Sequence, residues 1–269
     1  MTKGAGFRVY AIVYLIFLYA PIFLLPLFAF NDSTIIAFPL TAFTTTWFKE
    51  LLTIPALHGA VKTSMIIAVS SSIFATCLGT FAARAATRYD FPGKGPVMGF
   101  IMLPLVLPDI IVAVSLLVVL LGIGLQLSVW TVILGHVLIC TPFAIAILNS
   151  AFQSLDKSLE EAAYDLGETR WSTFWLVTFP LIMPGIISSL LISFTISLDE
   201  FIIAFFLTGT EPTLPVYIWS QLRFPTKLPS IMALGTILVA LSITLLIIAE
   251  YFRRRGIRKT GGKDTGGFL

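Results

Sequence analysis

Two strings set carboxylates into otherwise apolar sequence: LPLVLPDII carries Asp109, and SFTISLDEFIIAFF carries the adjacent pair Asp199 and Glu200. A charge at the centre of a membrane helix costs about 2.5–3.5 kcal/mol on insertion scales, so such residues mark solute or ion paths by default. Side chains next to each other on a helix point about 100° apart. At least one of Asp199 and Glu200 is therefore expected on a water-filled path, the other being free to pair with a neighbouring chain, and the competing reading is a helix break or interhelical hydrogen bonds. His136 and Cys140 lie four apart on one helical face, formally half a metal site. With no second pair of ligands nearby in sequence, interhelical packing and hydrogen bonding is the better reading. No nucleophile–base pair or full ligand set points to an intramembrane enzyme. Tyr217 and Trp219 sit in a Pro- and Gly-rich stretch at 208–230 with Gln221 and Arg223. These aromatics suit the membrane interface first, and closure over a cationic solute by cation–π contact second.

The other chemistry-bearing stretch, 160–180, is the one long polar interruption in the apolar second half. Glu160, Glu161, Ala162, Ala163, Tyr164, Asp165 and Leu166 read as a short helix stopped by Gly167, and a second segment over 171–179 runs into Pro180. Glu160, Glu161, Asp165, Glu168 and Arg170 cannot lie unpaired in lipid, so the knob is expected to project into water as a docking element.

The elements that must position these residues follow from composition. The 269 residues are 57% hydrophobic and 12% charged with a mean hydropathy of +0.97, values of an integral membrane protein rather than a soluble domain. A hydrocarbon core of about 30 Å takes roughly 20 helical residues. Six such runs are present, at 9–30, 61–84, 97–121, 127–149, 181–207 and 231–252. An all-α chain forming a single transmembrane domain over 1–269, with a cytoplasmic loop at 150–180, is expected. The basic start and long apolar run at 1–30 read as a first span kinked by Pro21 and Pro26, being too long for a signal peptide core. In the third run, counting 1.5 Å per residue from Val97 sets Asp109 roughly 18 Å along a straight helix, near mid-bilayer.

With both termini inside, thirteen Lys and Arg face the cytoplasm, among them Arg84, Arg88, Lys94, Lys157 and Arg170, against Lys49, Lys62, Arg223 and Lys227 outside. That bias places the 160–180 loop in the cytoplasm and accounts for the net charge of +3 without nucleic acid. Cys77 and Cys140 both fall in apolar runs and read as buried thiols. At 46–52, Thr46, Trp47, Phe48, Leu51 and Leu52 give an apolar face opposite Lys49 and Glu50, which suits a short interfacial helix. The tail beyond Arg253, Arg254 and Arg255 is basic and Gly-rich.

Glu161, Ala162, Ala163, three intervening residues, Gly167, nine more residues, then Val177, Thr178, Phe179 and Pro180 resemble the EAA motif (E-A-A-x3-G-x9-I-x-L-P) of the inner-membrane permeases of bacterial binding-protein-dependent ABC importers. Val177 and Phe179 replace the motif's Ile and Leu with other apolar side chains. Further strings are similar to the PotC-type polyamine permeases: LYAPI at 18–22, FN at 30–31, LPDI at 107–110, EEAAYDLG at 160–167, PLIMPGIISS at 180–189 and SLDE at 197–200. The resemblance implies a six-span, MetI-like type I importer permease in the bacterial inner membrane. It also implies a second, PotB-like permease, two copies of a cytoplasmic ATPase and a periplasmic solute-binding protein. The chain has no G-x4-G-K-[ST] loop, so ATP and Mg are expected in the partner ATPase and no cofactor on this chain. Glu160, Glu161, Ala162, Ala163, Asp165, Gly167 and Pro180 become ATPase-coupling candidates; Asp109, Asp199, Glu200, Tyr217 and Trp219 become path candidates. The acidic path suits a spermidine- or putrescine-like solute. Another amine or amino-acid-derived solute, opine-like or GABA-like, is the alternative within the fold, and an ion-gradient-driven secondary transporter is the alternative outside it.

Overall fold

The computed structural model describes residues 3–259, and side chains over 6–255; the Gly-rich end of the tail lies outside the described residues. Apart from one bridge between Asn31 and Phe43, its regular elements are helical. In order they are α1 Lys3–Ala29, α2 Thr46–Leu51, α3 Pro55–Arg88, α4 Lys94–Met102, α5 Asp109–Gly122, α6 Val129–Gln153, α7 Lys157–Asp165, α8 Arg170–Thr173, α9 Phe179–Asp199, α10 Ile202–Leu207, α11 Leu214–Gln221 and α12 Leu228–Lys259. Short 3₁₀ turns at Leu103–Leu105 and Pro225–Lys227 and a π-helical stretch at Phe174–Thr178 complete the order. Among the described residues, five helical segments are long and apolar enough to cross a membrane, and α4 with α5, taken as one bent span, makes six.

Three of the anticipated elements take another form. The third run is not one straight helix: Pro104 and Pro108 interrupt it, and the two halves meet at 104°. Each proline removes a backbone donor and clashes with the preceding turn. Asp109 consequently stands at the first position of α5 rather than partway along a continuous helix. The fifth run is likewise divided. Helix α9 stops at Asp199, Glu200 is extended at φ −69° and ψ 117°, and α10 begins at Ile202. The stretch expected as an irregular outward loop contains α11, which carries Tyr217 and Trp219. The anticipated helix at 46–52 is present as α2.

Two compact units make up the described chain: residues up to His58 with Tyr217–Leu241, and Gly59–Val216 with residues from Ser242 on. In the first, the FN string organises the segment after α1. Asn31 is buried; its side-chain oxygen accepts from the Thr41 amide at 2.8 Å, and its carbonyl accepts from Trp47 Nε1 at 2.8 Å. The Phe30 ring packs against Phe43 and Phe48 at 5.1 and 4.8 Å between centroids. Glu50 on α2 is tied to Lys227 (3.3 Å) and to Ser230 on α12 (2.8 Å).

The second unit holds the main core. Val112, Ala113 and Leu120 of α5 meet Val132, Ile133 and Ile139 of α6 and Ile203, Ala204 and Leu207 of α10, with Ile67 and Ala75 of α3. A second cluster joins Ala83 of α3 to Leu148 and Phe152 of α6 and to Phe174, Ile182 and Ile186 around α9. Lipid tails are as apolar as leucine, so close backbone approach rather than hydrophobic transfer favours such packing. Small residues permit it. A Cβ added at Gly79 would lie 2.7 Å from Ala144 Cβ, and one at Gly185 would lie 2.6 Å from Ala151 Cβ. Buried hydroxyls add polar ties, Thr76 to Ser189 at 3.0 Å and Ser188 to the Ala249 carbonyl at 3.0 Å.

Candidate functional site

The two chain breaks are brought together. Helix α5, which opens on Asp109, packs against α10, which follows Glu200. Asp109 is exposed on the chain and Glu200 partly so, and the two carboxylates lie within electrostatic reach of one another. Glu200 turns back on its own chain: Oε1 accepts from the Ile203 amide at 2.9 Å, meeting a donor that the first turn of α10 leaves open. Asp199 takes a different direction, and its Oδ2 accepts from the Ser242 hydroxyl on α12 at 3.2 Å. The structural alternative for this pair, a helix break with interhelical hydrogen bonding, is what the backbone adopts. It also fits a solute path, because interrupted spans expose polar backbone only where a cavity or protein receives it.

His136 and Cys140 do not converge on a shared ligand. His136 Nδ1 is 2.7 Å from the Ser197 hydroxyl, and the Cys140 thiol points to the Ser193 carbonyl at 3.5 Å. Both fasten α6 to α9, as the packing reading expected. Cys140 is buried, whereas Cys77 is exposed on the chain rather than buried. Tyr217 and Trp219 belong to the first unit. Tyr217 shares a narrow cleft with Leu51, Gln221, Lys227 and Ser230. Partial burial pushes its phenol above the ordinary value of 10.0, opposed by Lys227 and reinforced by Glu50. Trp219 is largely exposed.

The 160–180 stretch forms as the spacing predicts, with an added cap at each end. Asp156 caps α7 by accepting from the Ser158 amide at 3.0 Å. The helix closes at Gly167, whose φ of +90° is the left-handed conformation that favours glycine. The Glu168 amide donates to the Ala163 carbonyl and the Gly167 amide to the Tyr164 carbonyl, the paired bonds of a Schellman stop. Thr169 then caps α8 at the Ser172 amide, and the chain continues through the π-helical stretch directly into α9. The segment at 171–179 is thus continuous with the fifth span.

Among the coupling candidates, Glu161, Ala162, Asp165, Gly167 and Pro180 are exposed on the chain, and Ala163 is buried. Glu160 departs from the expectation that it projects into water. It is 6% exposed, its Oε2 accepts from Arg88 Nε at 2.7 Å, and its Oε1 accepts from the Thr178 hydroxyl at 2.7 Å. A buried carboxylate needs partners of this kind. Arg88 and Thr178 were not among the site candidates. For Arg88 the signal was its spacing one turn from Arg84 near the end of a span, which charge bias alone explained; Thr178 stood only at an unspecified position of the EAA-like string.

The chain matches the model of the binding-protein-dependent transport system inner membrane component family over residues 75–258. It is 37% identical over 248 residues to the putrescine transport system permease protein PotI of Escherichia coli (strain K12), covering 89% of this chain and 87% of that one. To the spermidine/putrescine transport system permease protein PotC of the same organism it is 34% identical over 239 residues, covering 88% and 90%. Its fold resembles a chain of a bacterial ABC transporter involved in the import of the acidic polysaccharide alginate, with a TM-score of 0.68 at 16% identity over 94% of this chain and 95% of that chain. Motif, interrupted spans and likeness agree: the chain belongs to the inner membrane components of binding-protein-dependent transport systems.

Proposed function

We propose that this chain is one of two permease subunits of an ATP-driven importer and that it moves a polyamine of the spermidine or putrescine kind into the cell. The observation that carries the solute class is the carboxylate at each of two adjoining helix breaks, Asp109 and Glu200. A polyamine bears two or more ammonium groups and needs counter-charge wherever water is scarce. Likeness along most of the chain to permeases named for putrescine and spermidine supports the same reading.

The drive comes from outside the chain. The exposed face of α7 with Glu161, Ala162 and Asp165, and the turn at Gly167, suits a groove on a cytoplasmic ATPase that holds ATP and Mg. Closure of two ATPase copies displaces α7 and biases the spans between inward-open and outward-open states, with differential contacts in each state supplying the energy. A PotB-like permease completes the path, and a periplasmic binding protein delivers the solute. Both termini lie in the cytoplasm of a multi-pass inner-membrane chain.

Purified complex in proteoliposomes, with its binding protein, tests this. Spermidine or putrescine, delivered by the binding protein on the ATPase-distal side, is expected to stimulate ATP hydrolysis and to accumulate on the side of the membrane that carries the ATPase. Stimulation by another amine alone overturns the solute assignment and keeps the importer. Absence of a co-purifying ATPase overturns both.

A further inference from the structure

The Arg88–Glu160 pair stands apart from the carboxylate breaks and from the exposed face of α7. Both glutamate oxygens are committed, one to Arg88 and one to Thr178, and both ion-pair side chains are only 8% exposed. Arg88 also donates to the Leu155 carbonyl at 3.1 Å, just ahead of α7, and its guanidinium lies 6.0 Å from the Phe152 ring centre. One turn earlier Arg84 donates to the Arg170 carbonyl at 3.3 Å, and its guanidinium lies 4.5 Å over the Phe174 ring. The last turns of α3 therefore grip the chain on both sides of Gly167.

Helix α7 has little else to hold it. Of its nine residues only Glu160 and Ala163 are buried, and Ala163 offers one methyl group. Beside the covalent chain through Gly167 and the Arg84 contacts, the Glu160 carboxylate gives a displacement imposed on the exposed face of α7 a direct side-chain route to α3 and the root of α9. We propose that Arg88, Glu160 and Thr178 form a yoke that makes α7 move as one body with α3 and α9. Glu160 is then a positioning residue that transmits the stroke, in contrast to the neighbouring Glu161, whose carboxylate faces outward. This rests on the coupling reading given above. A buried ion pair adds little to stability compared with well-packed apolar side chains, whereas its directional bonds fix register.

The test uses the whole complex in proteoliposomes with its binding protein, comparing wild type with Glu160→Gln, Arg88→Lys and Thr178→Val. Spin labels on cysteines placed at Lys157 and Tyr89, in a background with Cys77 and Cys140 replaced, report the distance from α7 to the end of α3 with and without a non-hydrolysable nucleotide. Wild type is expected to keep one narrow distance in both states. Glu160→Gln is expected to broaden it and to lower solute moved per ATP by about tenfold, with hydrolysis itself within about twofold of wild type. Arg88→Lys and Thr178→Val are expected to shift both readouts in the same direction by a smaller factor. A narrow distance and an unchanged transport-to-ATP ratio in Glu160→Gln overturn the yoke. A variant that lowers only the amount of assembled complex shows a structural role and also overturns it. If Glu160→Gln fails to assemble, the other two variants decide by the same readouts. If polyamines prove to be the wrong solute, the distance measurement still decides; if no ATPase binds the wild type, the coupling reading itself has failed.

Discussion

Adjacent glutamates in the EEAA string have opposite surroundings, and their substitutions should separate accordingly. Glu161→Lys reverses a charge on the outward face of α7 while leaving the buried bonds of Glu160 in place. It is expected to abolish solute-stimulated hydrolysis at normal membrane levels, read as ATPase activity against immunoblot of the inserted chain. Gly167→Asp adds a Cβ to a residue at φ +90°, a strain of about 1–2 kcal/mol, and should uncouple by displacing the stop of α7. Wild-type stimulation in either variant counts against docking through this face. Asp156 supplies a pH signature. Its carboxyl is held below the ordinary value of 3.8, first by the Ser158 amide and then by the Ser158 side chain. A lowered folded-state pKa means that the cap's contribution is complete above the unfolded value and is lost as pH falls through the folded one. Asp156→Ala should therefore speed amide exchange at Ser158 at neutral pH, with the difference from wild type vanishing in acid below the folded value.

Among the elements, glycines mark the places where helices touch most closely. Gly79→Val is expected to destabilise the chain by about 1–3 kcal/mol, since Ala144 leaves no room and its backbone follows at 3.1 Å. Gly95→Val, with open space around it, is the control. Detergent thermal-stability scans of the two variants check this, and equal midpoints would reject the close-packing account. The long apolar helices and the α7 stop were legible in the sequence because hydropathy, Gly167 and the EAA spacing are local signals. The breaks were half legible. Pro104 and Pro108 stood in plain view, but whether proline kinks a membrane helix or divides it depends on neighbours that accept the freed carbonyls. At Glu200 the adjacent carboxylates raised a helix break as the competing reading, but an extended residue between two helices has no composition of its own that decides for it. Glu160 was misplaced for a related reason: Arg88 lies 72 positions away in sequence, and only the fold brings the pair together.

At the scale of the whole molecule, the proposed function assigns drive and cargo to different residues of one chain. Glu200→Gln and Asp109→Asn should each reduce polyamine uptake by about tenfold or more, an effect of the size expected when one counter-charge is removed from a poorly hydrated path. Hydrolysis in the absence of solute should stay unchanged, since neither residue lies near α7. Uptake assays beside basal ATPase rates separate the two, and a loss of basal hydrolysis would show that the breaks are structural. The π-helical stretch at Phe174–Thr178 bears on the same division. A π turn carries one residue more than an α turn, so it sets the angular phase of α9 against the loop that precedes it, whatever side chains it bears. Removing a single residue from it would rotate α9 by about 100°, carrying Asp199 away from Ser242 and turning the SLDE string toward different neighbours. Length, more than side-chain identity, is thus the constraint this stretch imposes: a one-residue insertion or deletion at 174–178 changes the neighbours of Asp199 and Glu200 however its side chains are chosen.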